Sequence, residues 1–134
     1  MKLAITAAGA DLQAPLDPRF GRAQYYIFID VETMNYEVVD NSKMNPAHGA
    51  GIQAAQLMSE REVDAVITGN VGPNAFQALT AADIQMFQMK GSTISDAIEA
   101  FKAGKLQAIS QMGPAHAGMG SQGNAQGKGR GRNR

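Results

Sequence analysis

The chain has 134 residues, no net formal charge and 44% hydrophobic residues, which is enough for one domain with a core of its own and too little for two. Cysteine is absent, so disulfides, thiolate nucleophiles and cysteine-ligated zinc or iron–sulfur sites are excluded. The longest apolar runs, such as residues 25–29, are far too short to span a membrane, and no signal-peptide pattern follows Met1, so we expect a cytoplasmic protein.

Charge is unevenly distributed along the chain. Residues 1–112 carry eight Lys or Arg against twelve Asp or Glu, a net charge of −4, whereas residues 113–134 carry four basic residues and no acid. The second segment is rich in Gly, Asn, Gln and Ser, and it cannot bury enough apolar surface to fold. We therefore predict an α/β domain over 1–112 and a disordered, Gly-rich basic tail over 113–134, which either only raises solubility or binds polyanions weakly.

The sequence pattern in the first part of the domain predicts three short strands. Apolar residues alternate over 2–6, and a dense β-rich run covers 25–31. A third strand over 36–40 follows a turn-like gap that is short enough for a hairpin. The predicted order of elements is therefore strand, long loop, strand, turn and strand.

After residue 50 the period of the apolar pattern changes, and helices alternate with strands. The predicted elements are a helix over 51–62, a strand over 64–68, a helix that begins at Pro73, a strand over 84–89 and a helix over 94–103. Pro73 suits the first turn of a helix. Thr93 and Asp96 form a capping-box pattern, and Gly104 is a C-terminal stop.

This order of elements predicts a three-layer α/β fold. A five-stranded mixed sheet of order 3-2-1-4-5, with strand 2 antiparallel to its neighbours and three helices, satisfies it, as in ribonuclease H-like folds. Ligands of such sheets bind beyond the carboxyl ends of the parallel strands, where helix N-termini point their amides outward.

Three predicted loops meet at that edge of the sheet. One contains the run Asp17-Pro18-Arg19-Phe20-Gly21-Arg22, and we call residues 17–22 the arginine loop. Its two guanidinium groups hold permanent charge and forked donors, and glycines let backbone approach a ligand. The candidate binding residues are Arg19, Gly21 and Arg22 after strand 1, Asn45, His48, Gly49 and Gly51 after strand 3, and Gly69, Asn70 and Gly72 after strand 4. Together they predict an electropositive pocket for a compact, multivalent anion.

Each of these features has a plainer interpretation. An arginine pair in a loop is also typical of solvated surface, and Gly69 and Gly72 would also suit a tight turn. His48 fits an ordinary exposed loop histidine as well as a metal ligand. For Asp17 we favour a carboxylate–guanidinium pair that braces the arginine loop over a catalytic role. The joint placement on one edge is what favours a binding site.

No enzyme signature accompanies the predicted pocket. Residues 69–74 lack the Lys-Ser/Thr ending of a Walker loop. A two-metal nuclease needs several inward carboxylates, and the early aspartates do not have the spacing of such a cluster. No Ser-His-acid or Cys-His arrangement is indicated, so we predict a protein that is not an enzyme.

Four segments resemble the dinitrogenase iron–molybdenum cofactor biosynthesis family in order and spacing. They are Asp17-x-Arg-Phe-Gly-Arg, Asn45-Pro-x-His-Gly-Ala-Gly-Ile-Gln-Ala-Ala, Asp64-Ala-Val-Ile-Thr-Gly-Asn-Val-Gly-Pro-Asn-Ala-Phe, and Ala97-Ile-x-Ala-Phe-x-x-Gly-x-Leu106. The similarity covers about residues 1–110. It implies a ribonuclease H-like fold without nuclease activity, in a protein that binds or carries metal–sulfur clusters or their precursors.

The resemblance also implies a cargo and partners. The cargo is an anionic metal–sulfur cluster of iron–molybdenum or molybdenum–copper type, here bound without cysteine ligands. Arg19 and Arg22 would supply charge, amides near 49–51 and 69–72 would supply donors, and His48 would ligate a metal or donate to sulfide. The expected partners are the cofactor or its precursor and a donor or recipient assembly protein, with no membrane and no nucleic acid expected.

Two alternatives remain open at this point. The fold would also serve as a docking platform of a protein- or nucleic-acid-interaction or regulatory module, with the basic tail binding the partner and the glycine loops purely structural. A weaker alternative is a binder or enzyme for a small phosphate ester at the same edge.

Overall fold

A computed structural model describes residues 1–41 and 50–110. The predictions for Asn45, His48 and Gly49, and for the tail over 113–134, lie outside the described residues. The elements in chain order are β1 (Lys2–Ala7), β2 (Tyr25–Asp30), β3 (Tyr36–Asp40), α1 (Ala50–Glu60), β4 (Ala65–Thr68), α2 (Pro73–Ala81), β5 (Gln85–Gln88), α3 (Ile94–Lys102) and β6 (Gln107–Ala108). No helix in this part of the chain is long and apolar enough to cross a membrane.

The strands form one mixed sheet of order β3-β2-β1-β4-β5-β6. β2 is antiparallel to both β1 and β3, while β4 is parallel to β1 and to β5. The predicted order 3-2-1-4-5 and the antiparallel second strand are therefore confirmed.

The predicted number of five strands is wrong by one short strand. β6 pairs antiparallel with β5 through Phe87 and Gln88, and the Ile109 amide donates to the Met86 carbonyl at 2.8 Å. Both residues of β6 are exposed, so its sequence has no alternation of apolar and polar residues from which the strand could be predicted. The strand forms because the chain turns back at Gly104 and meets the free edge of β5.

Two hydrophobic clusters lie on opposite faces of the sheet because side chains alternate along each strand. One face is covered by α3, and its core residues include Leu3, Ile5, Ile27, Ile67, Ile94 and Ile98. The other face is covered by α1 and α2, and its core residues include Ala4, Phe28, Val66, Met58 and Leu79. The three-layer arrangement follows directly from this alternation.

The helix signals in the sequence are found where they were predicted. Pro73 is the first residue of α2. The Thr93 side chain caps α3 by accepting from the Asp96 amide at 3.1 Å. Gly104 follows α3 with a φ of +70°, a conformation that glycine adopts without steric cost.

Candidate functional site

The candidate site lies at the edge of the sheet where β1, β3, β4 and β5 end. β3 reaches this edge because two successive antiparallel pairings give it the direction of β1. After β1 the chain first returns alongside that strand, where Leu16 bridges Ala7, and the arginine loop then crosses the end of β4, where Arg19 bridges Asn70. The arginine loop and the start of α2 are therefore brought side by side.

Asp17 organises the arginine loop. Its side chain is 3% exposed, and its carboxylate accepts hydrogen bonds from the Arg19 amide at 3.0 Å, from Arg19 Nε at 3.1 Å and Nη2 at 3.0 Å, and from the Gln24 amide at 3.2 Å. The Thr6 hydroxyl donates to the Asp17 carbonyl and also bonds the Thr68 hydroxyl. The interpretation of Asp17 as a brace of this loop is confirmed.

Buried side chains also bind the carbonyl oxygens of the loop and of the residues that follow it. The Tyr26 hydroxyl donates to the Phe20 carbonyl at 2.8 Å, and the Asn41 amide donates to the Ala23 carbonyl at 2.8 Å. The carbonyl oxygens of Phe20 and Ala23 are thus hydrogen-bonded to donors of the protein itself. An anion approaching from outside therefore does not face them as unpaired acceptors.

Three glycines allow backbone segments at this edge to approach closely. A Cβ on Gly21 would lie 2.8 Å from the Gly51 nitrogen, and a Cβ on Gly51 would lie 3.0 Å from Ala75 Cβ. A Cβ on Gly69 would lie 2.6 Å from Pro18 Cβ. The arginine loop, the first turn of α1 and the first turn of α2 are therefore stacked at distances that any side chain would increase.

A cavity of about 350 Å³ opens between these three elements. Its lining includes five of the predicted residues, Gly21, Arg22, Gly51, Asn70 and Gly72. The lining is completed by Phe20, Ala50, Ile52 and residues 73–75, which are not among the candidate binding residues predicted from the sequence. Most of them belong to the first turns of α1 and α2. The sequence pattern that predicts where those two helices begin is therefore the feature from which these lining residues could have been identified.

Two predicted residues lie beside the cavity and outside its lining. Arg19 is turned toward Asp17, which holds two of its guanidinium nitrogens and raises the pKa of the guanidinium through that hydrogen bond. Gly69 is buried against Pro18. The two arginines thus occupy different environments: Arg19 braces the loop, and Arg22 lines the cavity. A binding role for any of these residues stays a prediction.

The described lining is electropositive. Arg22 is exposed and has no ion-pair partner within residues 1–41 and 50–110, where the ion pairs found involve other side chains. Within the described residues no side chain caps α2, so none of them compensates its N-terminal dipole at the cavity. No carboxylate belongs to the lining found in this part of the chain. Such a site favours an anion.

A direct cation site is a poorer match to the same residues. Within the described ranges, no three His, Cys, Asp or Glu side chains come together as ligands of a metal ion. The donors at the cavity are a guanidinium, an asparagine side chain and backbone amides, all of which can bind a negatively charged surface. The arrangement is therefore suited to the outer atoms of an anion, whether or not that anion contains metal.

The brace predicts a specific pH dependence of stability. Burial alone would raise the pKa of the Asp17 carboxyl, but hydrogen bonds from the Arg19 side chain and from the Arg19 and Gln24 amides outweigh it and hold the pKa below the ordinary value of 3.8. A lowered pKa contributes stability above the unfolded-state value, and this contribution is lost as the pH falls through the folded-state value. We expect the free energy of unfolding to fall more steeply between about pH 5 and pH 2 in the wild type than in Asp17→Asn.

Denaturant titrations of both proteins over that pH range measure the difference. Asp30 also has a lowered pKa, caused mainly by the Glu32 amide, but it is present in both proteins and cancels. Parallel pH profiles for the wild type and Asp17→Asn would contradict the assignment of this stability to Asp17.

Comparison with known proteins agrees with the fold and with the sequence motifs. The family model described as dinitrogenase iron-molybdenum cofactor matches residues 1–104. The apo form of the orange protein from Desulfovibrio gigas is 41% identical, with a TM-score of 0.77 over 81% of this chain and 92% of that chain.

Two further relatives have similar coverage. A candidate NifB protein of the DUF35 family from Thermotoga, solved by NMR, is 36% identical, with a TM-score of 0.75 over 86% of this chain and 98% of that chain. An uncharacterized protein from Methanocaldococcus jannaschii is 30% identical over 95 residues, which is 69% of this chain and 80% of the relative. The chain belongs to the dinitrogenase iron–molybdenum cofactor family.

Proposed function

We propose that this protein binds and carries an anionic metal–sulfur cofactor or its precursor, of iron–molybdenum or molybdenum–copper type, and that it does so without catalysing a reaction. The observation that carries the proposal is the cavity between the arginine loop and the N-termini of α1 and α2, which combines Arg22 with helix dipoles and lacks a carboxylate in its described lining. Its volume of about 350 Å³ is within the usual range of small-ligand sites, about 300–1,000 Å³.

The chemistry of the cargo matches these donors. A thiomolybdate or a metal–sulfide cluster already has sulfide on its metals and carries negative charge, so it needs charge and hydrogen bonds more than additional ligands. Because the chain has no cysteine, a thiolate anchor is excluded. Guanidinium and amide donors are the groups that the described residues offer to the sulfide surface, beside the predicted contact of His48. The described lining supplies both kinds of donor.

The family gives independent support to a bound group. Its description names the iron–molybdenum cofactor, and the orange protein was solved as an apo form, which means that this relative is distinguished from a form with a bound group. A carrier also requires a donor or recipient protein, and we propose an assembly protein in that role.

Anaerobic reconstitution tests the proposal. The full chain is mixed with tetrathiomolybdate, alone and with copper(I) or iron(II), and is then separated from free reagent by gel filtration. We expect the wild type to retain visible absorbance and molybdenum, and Arg22→Ala to retain about tenfold less, because a charge-assisted hydrogen bond contributes about 1.5–3 kcal/mol. The unfolding midpoint of apo Arg22→Ala is expected to equal that of the wild type, because this exposed side chain forms no ion pair with the described residues.

Two variants separate the site from general charge effects. Lys105→Ala removes one exposed positive charge after α3, away from the cavity, and is expected to retain as much molybdenum as the wild type. Arg19→Ala is expected to lose less than Arg22→Ala, since its guanidinium is held by Asp17. Absence of retention in the wild type, or equal retention by Arg22→Ala, would contradict the proposal.

A further inference from the structure

Among the seven glycines in the described part of the chain, Gly72 alone is required neither by a close contact nor by a positive φ. Four others approach neighbouring atoms so closely that an added Cβ would lie 2.6–3.0 Å from them: Gly9, Gly21, Gly51 and Gly69. The remaining two have positive φ angles, +72° at Gly91 and +70° at Gly104. Both kinds of position disfavour any other residue.

Gly72 has neither property. Its φ is −72° and its ψ is 173°, which is extended backbone that every L-residue adopts. A Cβ added there would have no heavy atom of residues 1–41 or 50–110 within 4 Å. The packing of the described residues therefore accepts a side chain at this position.

Glycine at this position also leaves a stabilising contact unmade. Gly72 is the N-cap of α2, and no side chain caps that helix, whereas Thr93 caps α3. Ser, Asp or Asn at an N-cap accepts a hydrogen bond from the first turn and stabilises the helix. The folded chain thus lacks both a steric reason for glycine and the benefit of a cap.

The position of Gly72 in the cavity explains why glycine is present, whereas the packing around it does not. It lies in the lining of the cavity, between Asn70 and the first turn of α2, so a side chain there would project into space that the protein leaves open. It would also shield the N-terminal amides of α2, which are the donors that an anion reaches at this end of the cavity.

Resting on the proposed function, we infer that Gly72 is the residue that sets the size of cargo: its missing side chain admits a multi-atom metal–sulfide anion against the N-terminus of α2. A longer side chain at this position narrows the cavity and excludes such an anion. Ser at this position also narrows the cavity but caps α2, so for this substitution binding is expected to fall while the stability of the apo fold is kept or slightly raised.

A substitution series at Gly72 tests the inference, with tetrathiomolybdate and copper(I) as the probe. We expect retained molybdenum to fall in the order Gly72→Ala, Gly72→Ser, Gly72→Gln, and to be about tenfold or more below wild type for Gln, since small changes in pocket shape change selectivity by about 10–200-fold. The melting temperature of apo Gly72→Ser is expected to exceed that of the wild type by about 1–3 °C, because Ser caps α2 better than Gly by a few tenths of a kcal/mol. Ala and Gln do not cap the helix, and these apo variants are expected to stay folded at the temperature of the binding assay. Ala81→Gln adds the same side chain at the exposed last residue of α2 and is expected to retain as much molybdenum as the wild type.

The outcomes separate this inference from the proposal on which it rests. Equal retention by the wild type and by Gly72→Gln would overturn the inference and leave the proposed carrier function standing. A melting temperature of apo Gly72→Ser below that of the wild type would also overturn it, because Gly72 would then serve the fold. If the wild type itself retains no thiomolybdate, both are overturned.

Discussion

Replacing Asp17 with alanine is expected to lower the free energy of unfolding by about 2–4 kcal/mol, a large part of the stability of a small domain. The carboxylate is 3% exposed and accepts four hydrogen bonds. Without it, the amides of Arg19 and Gln24 lose their acceptor in a partly buried position, and the Arg19 guanidinium loses its partner. Chemical denaturation of the apo protein at pH 7 measures the loss.

Two variants identify which part of the brace matters. Asp17→Asn keeps the shape and part of the acceptor capacity but loses the charge, so we expect a smaller loss of about 1–2 kcal/mol. Arg19→Ala is expected to cost about 1 kcal/mol or less, because the Arg19 side chain is 59% exposed and water can replace its contacts. A loss below 1 kcal/mol for Asp17→Ala would show that the loop is held by other contacts.

The sequence predicts the fold well wherever one local signal dominates. The alternation of apolar residues predicts β1 correctly. The capping pattern at Thr93 predicts the first residue of α3 to within one residue of its observed position. Predictions are less accurate where an element ends by backbone geometry. α1 ends at Glu60 rather than near Glu62, and Glu62 has a left-handed φ of 57°, which terminates the helix although its residue type does not signal it.

The site is predictable at the level of loops and less so at the level of side chains. Arg19 and Arg22 are the same residue type in one loop, and only the position of the buried Asp17 carboxylate separates a bracing arginine from one at the cavity. Gly69 and Gly72 are likewise indistinguishable in sequence. Their difference depends on Pro18, which lies against Gly69 from a distant part of the chain. Such long-range contacts are not encoded in local periodicity.

A rigid loop is what the proposed function requires. The buried groups around Asp17, Thr6 and Tyr26 hold the loop from inside, so Arg22 projects from backbone that is already fixed. Fixing the donors before binding lowers the conformational cost of holding an anion. The same division of labour explains why substitutions of bracing residues are expected to affect stability first, and substitutions of lining residues to affect binding first.

Gly21→Ala should combine both effects and is expected to have the largest consequence for the cavity. Its Cβ would lie 2.8 Å from the Gly51 nitrogen, 2.9 Å from Gly51 Cα and 3.0 Å from the Ala50 carbonyl carbon. These are backbone atoms of the first turn of α1, which cannot rotate away, so the arginine loop and α1 must separate. We expect the free energy of unfolding to fall by about 1–3 kcal/mol and thiomolybdate retention to fall with it, because Arg22 is the next residue in the chain.

Gly72→Ala is the matched control, because it adds the same methyl group to the same cavity at a position with no heavy atom within 4 Å. Its free energy of unfolding is expected to stay within about 0.5 kcal/mol of the wild type, because the lower entropy of Ala in the unfolded chain offsets its poorer N-cap preference. Denaturation curves of the two apo variants, measured side by side, separate the effect of contact with α1 from the effect of a methyl group as such. Equal unfolding midpoints for Gly21→Ala and the wild type would mean that close packing of the arginine loop against α1 does not hold the cavity in shape. The buried groups around Asp17, Thr6 and Tyr26 would then be what keeps the loop in place.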